Sequence, residues 1–227
     1  SSMRYKNLLG ITLGTGFGGG AVIDGKLLSG DNGCGGDVWL MRNSLYPEMI
    51  AEESVSIRAV KRVYHEFAPE DANGNLTPKD IFEIAEGRAE GNVNAAREAF
   101  SQLGKAAADS VIHALDIIDG LVVIGGGLSG AAKYIVPAMK EQMRSRLSTF
   151  GGDHFPCLQS QVYDLNDAEE LAEFLRDDST LVQVPGAERS VRYRNSRKTG
   201  IAVSSIGTST AIALGAYAFA LNNLNKS

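Results

Sequence analysis

The sequence predicts an α/β domain with a mixed sheet that begins with a β-hairpin and is flanked by helices. Two observations lead to this fold class. Short apolar runs separated by glycine turns come first, and stretches with helical periodicity then alternate with apolar strands. Hydrophobic residues make up 44% of the 227 residues and charged residues 22%, an ordinary balance for a globular chain that buries a core.

The hairpin comes first in the chain. Leu8 to Leu13 is an apolar run that predicts a buried strand, and a glycine-rich turn from 14 to 20 follows it. Residues 21 to 23 and 26 to 29 predict the next two strands. Asp24-Gly25 joins them, and this pair favours a type I′ turn.

Helices dominate the middle of the chain. Apolar residues at four-residue spacing predict helices near 52 to 67 and from 94 to 118. Thr77-Pro78 predicts a helix start, because threonine caps a helix and proline fits its first position. Leu121 to Ile124 is a continuous apolar run, typical of a buried parallel strand. A further helix is predicted to run to about Leu147.

The last third of the chain carries weaker signals. Residues 164 to 178 show a short helical pattern, and the basic run from 189 to 198 alternates like an exposed, solvated hairpin. Residues 199 to 206 suit a strand. Residues 207 to 221 are small and nearly all apolar, which predicts a buried helix.

Two glycine-rich turns are candidates for binding phosphate. In the first, from Gly14 to Gly18, glycines expose backbone N–H groups and the Thr15 hydroxyl adds a polar contact. No Gly-Lys-Ser/Thr follows, which excludes a Walker A loop. A strand follows rather than a helix, which excludes a dinucleotide-binding fingerprint. A hairpin whose glycines serve only the turn is the alternative.

The second turn is Gly125-Gly126-Gly127, between a buried strand and a helix. Such a turn places a ligand at a helix N-terminus, where the dipole favours anions. Tight packing of the helix on the strand is the alternative. Two glycine turns on one sheet favour the nucleotide site over both structural alternatives.

Composition argues against several other classes of protein. The net charge of −5 gives no support for nucleic-acid binding through this chain. Cys34 and Cys157 lie far apart, which suggests neither a disulfide framework nor a zinc site and fits a reduced cytoplasm. No signal-peptide pattern is present, and the longest apolar stretch, 211 to 221, is too short to span a bilayer. We therefore expect a cytoplasmic protein without a membrane or direct nucleic-acid partner.

Several motifs, taken in order, resemble the ROK family of repressors, open reading frames and sugar kinases, which has the actin-like ATPase (ribonuclease H-like) fold. The motifs lie at Gly10 to Gly20, Asp24 to Lys26, Gly30 to Asp37, Val122 to Ser129 and Ser205 to Gly207. The resemblance extends from residue 8 to about 150 and resumes near 200. It implies that 1–227 is a single C-terminal lobe with an insertion at about 151–200.

The resemblance implies ATP with Mg²⁺ and phosphoryl transfer to a sugar or amino-sugar hydroxyl. The residues it assigns to ATP are those of the two turns: Gly14, Thr15, Gly16, Gly18, Gly125, Gly126 and Gly127. The family's two sugar-binding glutamates fall on Asp37, one methylene shorter, and on Glu52. The alternative for both is an ordinary loop or helix-start carboxylate.

The chain departs from the family pattern around its zinc motif. The family's histidine ligand falls on Leu40, and residues 42 to 51 contain neither Cys nor His in place of the cysteine cluster. We therefore expect no zinc. The loop must be held by packing instead, for which the candidates are Trp39, Leu40, Met41, Tyr46 and Met49.

In the family, the first phosphate motif and the general-base aspartate both precede the Gly-Thr-Gly turn. We therefore expect an N-terminal lobe outside these residues, and no catalytic residue or metal ligand within them. The leading interpretation is the ATP-binding lobe of a carbohydrate kinase, with nucleotide and a small sugar as ligands, in a homo-oligomer. The alternatives are a non-catalytic sugar-sensing regulator of the repressor branch and an interaction module that keeps only the fold.

Overall fold

A computed structural model of the chain describes residues 5–71 and 76–224. Ten strands lie in this part of the chain: β1 (Leu8–Leu13), β2 (Phe17–Ile23), β3 (Lys26–Leu27), β4 (Leu121–Gly125), β5 (Arg146–Ser148), β6 (His154–Pro156), β7 (Gln161–Asp164), β8 (Thr180–Gln183), β9 (Ser190–Tyr193) and β10 (Lys198–Val203). Six of them form the main sheet, in the order β3-β2-β1-β4-β10-β7. The other four form two separate hairpins, β5-β6 and β8-β9.

The main sheet is mixed, as predicted. β1 pairs antiparallel with β2 and parallel with β4, and β10 pairs parallel with both β4 and β7. The strands β1, β4, β7 and β10 therefore run in one direction, and their carboxyl ends meet at the same edge. In open α/β sheets this edge is where ligands bind.

Six α-helices accompany the sheet in the described residues: α1 (Ile57–Phe67), α2 (Pro78–Ala85), α3 (Val93–Ile118), α4 (Ala132–Met143), α5 (Ala168–Leu175) and α6 (Thr208–Leu224). The cap predicted at Thr77 is present, because Thr77 and Asp80 form a capping box at α2. The structure adds a cap at α3, where the Asn92 side chain accepts the Ala95 amide. Helix α3 contacts β1 and packs against α1, α2 and α4, which places the hydrophobic core between the sheet and these helices.

The initial hairpin is confirmed, with a shorter turn than predicted. Asp24 and Gly25 have φ values of 49° and 76°, as the type I′ turn requires. Strand β2 begins at Phe17 because Gly18, Gly19 and Gly20 pair with β1. The first glycine turn is thereby reduced to residues 14–16.

Two predicted helix boundaries were wrong. Helix α1 begins at Ile57 and not near 52, because Ala51–Glu53 forms a separate 3-10 turn. Helix α4 ends at Met143, and Leu147 lies in β5, paired with Phe155. Leu147 is exposed, so it does not continue the apolar face of α4.

Helix α6 forms where a helix was predicted, but the prediction that it is buried was wrong. Its side chains from Thr208 to Leu221 are exposed, among them Ile212, Tyr217 and Phe219. The apolar residues of this helix are distributed around its whole circumference, and such a pattern normally marks a buried helix. In the part of the chain described here, no element covers it. None of the described helices is long and apolar enough to cross a membrane.

The segment from 151 to 200 contains parts of the main sheet. Strands β7 and β10 extend that sheet, while β8 and β9 form the exposed hairpin that the basic run predicted. Lys198, however, is buried rather than solvated. Its Nζ donates to the carbonyl of Glu173 at 2.9 Å and to that of Arg176 at 3.3 Å, which caps the C-terminus of α5.

A pH-sensitive contact joins α2 to α4 at Glu86. The pKa of Glu86 is lowered from 4.5 to about 2, mainly by a hydrogen bond from Lys133 and, to a smaller extent, by one from Tyr134. The carboxylate therefore contributes stability that is present above about pH 4.5 and is lost as the pH falls towards 2. We expect Glu86→Gln to flatten the pH dependence of unfolding in this range, measured by urea titration. Glu90→Gln, at an exposed position, serves as the control, and equal profiles for both variants would contradict the assignment.

Candidate nucleotide and sugar site

A cleft of about 540 Å³ lies at the carboxyl edge of the parallel strands. Both glycine turns open into it. The residues that line it are Thr12, Leu13, Gly14, Thr15, Gly16, Phe17, Gly18, Trp39, Glu52, Gly126, Gly127 and Thr208. Four elements distant in sequence therefore converge here: the β1-β2 turn, the segment from 39 to 52, the turn after β4 and the start of α6.

The first turn leaves β1 at Leu13 and enters β2 at Phe17. Within it the Gly14 amide donates to the Gly16 carbonyl at 3.1 Å, and the Thr15 side chain is exposed towards solvent. A methyl group on Gly16 would lie 2.5 Å from the Glu52 carboxylate, and one on Gly18 would lie 2.5 Å from the Thr12 hydroxyl. At both positions an added methyl group would therefore displace a neighbouring side chain.

The second turn packs against the end of β1, immediately before the first turn. Gly126 has a φ of 91°, and a methyl group there would lie 2.4 Å from the carbonyl oxygen of Leu13. By contrast, a methyl group on Gly127 would meet nothing within 4 Å, so the backbone of Gly127 faces open space. Ser129 stabilises this turn, since its hydroxyl donates to the Gly126 carbonyl at 2.7 Å.

Glu52 connects the first turn to helix α1. Its Oε2 accepts the backbone N–H of Phe17 at 3.0 Å, and its Oε1 lies 3.3 Å from the Arg58 guanidinium. Arg58 also pairs with Glu53 at 2.8 Å. The hydrogen bond to Glu53 raises the pKa of Arg58 most, and the hydrogen bond to Glu52 raises it further. Arg58 therefore remains a cation beside the cleft.

A smaller apolar pocket of about 260 Å³ lies on the other side of the second turn. Gly127 lines both the pocket and the cleft. The pocket is also lined by Leu128 and by Pro78, Lys79 and Phe82 of α2. Phe82 is held edge-on against Phe100 and Tyr134, with ring centroids 6.2 Å apart in each pair. A flat apolar group next to the phosphate turn would fit here.

The loop from 41 to 54, which covers the positions where the resemblance places the family's zinc-binding cysteines, is organised around Asn43. This side chain is only 2% exposed. Its Nδ2 donates to the Ile50 carbonyl at 3.1 Å and to the Ser54 hydroxyl at 2.8 Å, and its Oδ1 accepts the amides of Leu45 and Tyr46 at 3.0 and 3.1 Å. The amide uses its two donors and accepts two bonds, so it ties both ends of the loop together.

Only some of the residues that were predicted to hold this loop by packing are in fact packed. Trp39 and Met41 pack against the core, but Leu40 and Met49 are more than half exposed. Across residues 5–71 and 76–224, no group of three or more His, Cys, Asp or Glu side chains is placed to hold a metal ion. The expectation that the protein has no zinc stays a prediction.

The structure brings together most of the residues that the sequence singled out. Gly14, Thr15, Gly16 and Gly18 of the first turn line the cleft together with Gly126, Gly127 and Glu52. Gly125 ends β4 just behind them. Asp37 is exposed at the start of the 3-10 turn Val38–Leu40 and is not among the residues that line the cleft. Its role as a sugar ligand remains a prediction.

Sequence reasoning missed three contributors to the site. Trp39 was considered only for packing, and Thr208 only as part of an apolar helix. For the α2 residues that line the smaller pocket, the sequence indicated only the start of a helix and no role in binding. For Thr208 a signal existed, because it directly follows the Ser205 to Gly207 motif.

With this geometry in place, comparison with known proteins identifies the family. The family model described as "ROK family" matches residues 1–164, and the chain belongs to the ROK family. A crystal structure of glucokinase from Parabacteroides distasonis is 52% identical, with a TM-score of 0.88 over 98% of this chain and 60% of that one. The fold is accordingly that of the actin-like ATPases, as the resemblance implied.

Two other relatives are more distant. The glucokinase of Halalkalibacterium halodurans is 30% identical over 180 residues, which make up 65% of this chain and 53% of that protein. A ROK family glucokinase from Streptomyces griseus, in complex with glucose and AMPPNP, is 23% identical with a TM-score of 0.53, over 63% of this chain and 52% of that one. At this identity the likeness shows the fold alone. The chain spans just over half the length of the glucokinases it matches.

Proposed function

We propose that this chain is the ATP-binding lobe of a carbohydrate kinase that transfers the γ-phosphate to a sugar or amino-sugar hydroxyl. The observation that carries the proposal is the contact of Gly126 with Leu13, which joins two glycine turns beside the carboxylate of Glu52. The glucokinases at 30% and 52% identity support a kinase, and they do not favour the regulator alternative.

The nucleotide would lie across the second turn. Its phosphates would enter the cleft between the open backbone of Gly127 and the Thr15 hydroxyl. The N-terminus of α6 at Thr208 adds a favourable dipole for anions at the same place. The base would occupy the apolar pocket between Phe82 and Leu128.

Mg²⁺ would neutralise charge that develops on the transferred phosphate. In kinases this ion is held largely by the phosphates and water, with one or two carboxylates. Glu52 is the carboxylate that lines the cleft, and it is already bonded to Phe17 and Arg58. We therefore assign no protein ligand for Mg²⁺ in this chain.

The sugar would bind on the side of the cleft formed by Trp39 and Glu52. A carboxylate accepts hydrogen bonds from sugar hydroxyls, and an indole offers an apolar wall for the face of the ring. Asp37 would join from the neighbouring turn if that turn closes on the sugar. A cytoplasmic location and a homo-oligomer belong to the same proposal, and the unpaired Cys34 and Cys157 are compatible with a reduced compartment.

The direct test is ADP release by the full-length protein, supplied with Mg-ATP and a panel of hexoses and amino-hexoses. We expect turnover with at least one sugar. Sugar binding without turnover would favour a sensor. If calorimetry detects no binding of Mg-ATP at millimolar concentration, the nucleotide site proposed here is wrong.

Thr15→Val tests the first turn without changing its shape. The variant keeps the volume of the side chain and removes its hydroxyl, so we expect Mg-ATP affinity to fall roughly threefold to tenfold, the value of one hydrogen bond. Thr180→Val, an equal change at an exposed position of β8, should leave the affinity unchanged. Equal affinities in both variants, measured by calorimetry, would contradict a phosphate contact at Thr15.

A further inference from the structure

The carboxylate of Glu52 is held by other groups of the protein through both of its oxygens. Its side chain is 22% exposed, and Oε2 accepts the Phe17 N–H, which closes the first glycine turn, at 3.0 Å. The same segment holds the other end of that turn, because the Ile57 amide donates to the Gly14 carbonyl at 2.9 Å. The stretch from Glu52 to Ile57 therefore clamps the turn at both of its ends.

The orientation of Glu52 depends on Arg58. The guanidinium lies 3.3 Å from Oε1, whereas the Phe17 N–H donates to the other oxygen, Oε2. Arg58 is itself fixed by Glu53 at 2.8 Å. A carboxylate with one oxygen on a backbone N–H and the other on a guanidinium cannot rotate freely, since either rotation breaks a charge-assisted hydrogen bond.

We propose that Glu52 couples the sugar site to the phosphate-binding turn, and that Arg58 is the positioning residue that sets this coupling. The proposal rests on the assignment of ATP and sugar to the cleft. A sugar hydroxyl that binds Glu52 must share a carboxylate that also fixes the Phe17 amide. Sugar therefore selects one position of the Gly14 to Gly16 turn, which is the position that meets the phosphates.

Such coupling is reciprocal. If bound sugar raises the affinity for nucleotide by some factor, nucleotide must raise the affinity for sugar by the same factor. Without Arg58 the carboxylate gains rotational freedom, and the factor should approach one. Arg58 touches neither ligand in this account, so its effect should show in the coupling more than in either affinity alone.

The test measures Mg-AMPPNP affinity of the full-length protein by calorimetry, with and without a saturating sugar substrate. We expect a coupling factor of at least about fivefold in the unaltered protein, and a factor near one in Arg58→Gln. Arg58→Lys keeps the charge and should retain most of the factor. Arg62→Gln is the matched control, since Arg62 lies one turn further along α1 and pairs with Glu66 and Tyr46 instead.

Amide exchange of residues 14–18 in the unliganded protein gives a second readout that needs no ligand. We expect faster exchange in Arg58→Gln and Glu52→Ala than in Arg62→Gln. An unchanged coupling factor in Arg58→Gln, or an equal loss in Arg62→Gln, would overturn the proposal. If the unaltered protein binds neither ligand, the proposed function fails, and the exchange rates alone then decide whether Arg58 positions the turn.

Discussion

Gly126→Ala is expected to abolish nucleotide binding and to lower the free energy of unfolding by roughly 3 kcal/mol. Two causes act together. The φ of 91° is strained for any residue with a side chain, and the added methyl group would lie 2.4 Å from the Leu13 carbonyl oxygen. Leu13 is fully buried at the end of β1, so the backbone cannot yield without moving the first turn as well.

Gly152→Ala is the control for this prediction. Gly152 has a similar φ of 89° in the turn between β5 and β6, lines neither the cleft nor the apolar pocket, and a methyl group there meets nothing within 4 Å. Denaturant titration and calorimetry with Mg-ATP should separate the two variants. If Gly126→Ala binds Mg-ATP as tightly as Gly152→Ala does, the two glycine turns do not form one site.

The second large effect is expected at Asn43. Asn43→Ala would leave the buried Ser54 hydroxyl and the amides of Leu45 and Tyr46 without this partner. We expect a loss of about 3 kcal/mol in the free energy of unfolding, because unsatisfied buried polar groups each cost about 1–3 kcal/mol and part of the loop can rehydrate. Sugar affinity should fall with it, since Trp39 and Glu52 lie close to the two ends of the loop.

Asn32→Ala provides the comparison for Asn43. Asn32 is an exposed asparagine in the glycine-rich loop before the site, so its removal should change stability by no more than about 0.5 kcal/mol. Thermal unfolding of both variants, followed by circular dichroism, measures the difference. Equal unfolding temperatures would show that Asn43 does not hold the loop.

The sequence was informative where a local pattern decides the structure. The Asp24-Gly25 turn requires positive φ at both residues, and few residue pairs supply it. Helix α3 has a long apolar stripe, and β4 is a short apolar run between breakers. In each case the residues that form the element also lie within it, so neighbouring positions are sufficient to predict it.

From the residue patterns alone, the candidate site was predictable in its glycines and in Thr15, and Glu52 was assigned only through the family resemblance. Glycine turns reveal themselves because positive φ and close approach leave few alternatives. The bond from Phe17 to Glu52 joins residues 35 positions apart, and Thr208 reaches the cleft only after β10 has joined the sheet. Contacts of that range depend on the whole topology, and no spacing in one sequence encodes them.

Burial was the property least accessible from the sequence. The apolar composition of α6 correctly predicted a helix but not its surroundings, because composition describes what a helix requires and not whether a neighbour is present. Lys198 shows the opposite case. A basic residue in a charged run was expected in solvent, yet three contacts at the end of α5 bury it.

The Asn43 contacts also affect how the chain folds. Their partners lie close in sequence, with Ile50 seven residues away and Ser54 eleven. Short-range contacts of this kind close with little loop entropy and tend to form quickly. A metal-closed loop must instead wait for its ion and for deprotonated ligands. We expect the loop to form in step with the polypeptide itself, at a refolding rate that dissolved zinc or a chelator does not alter.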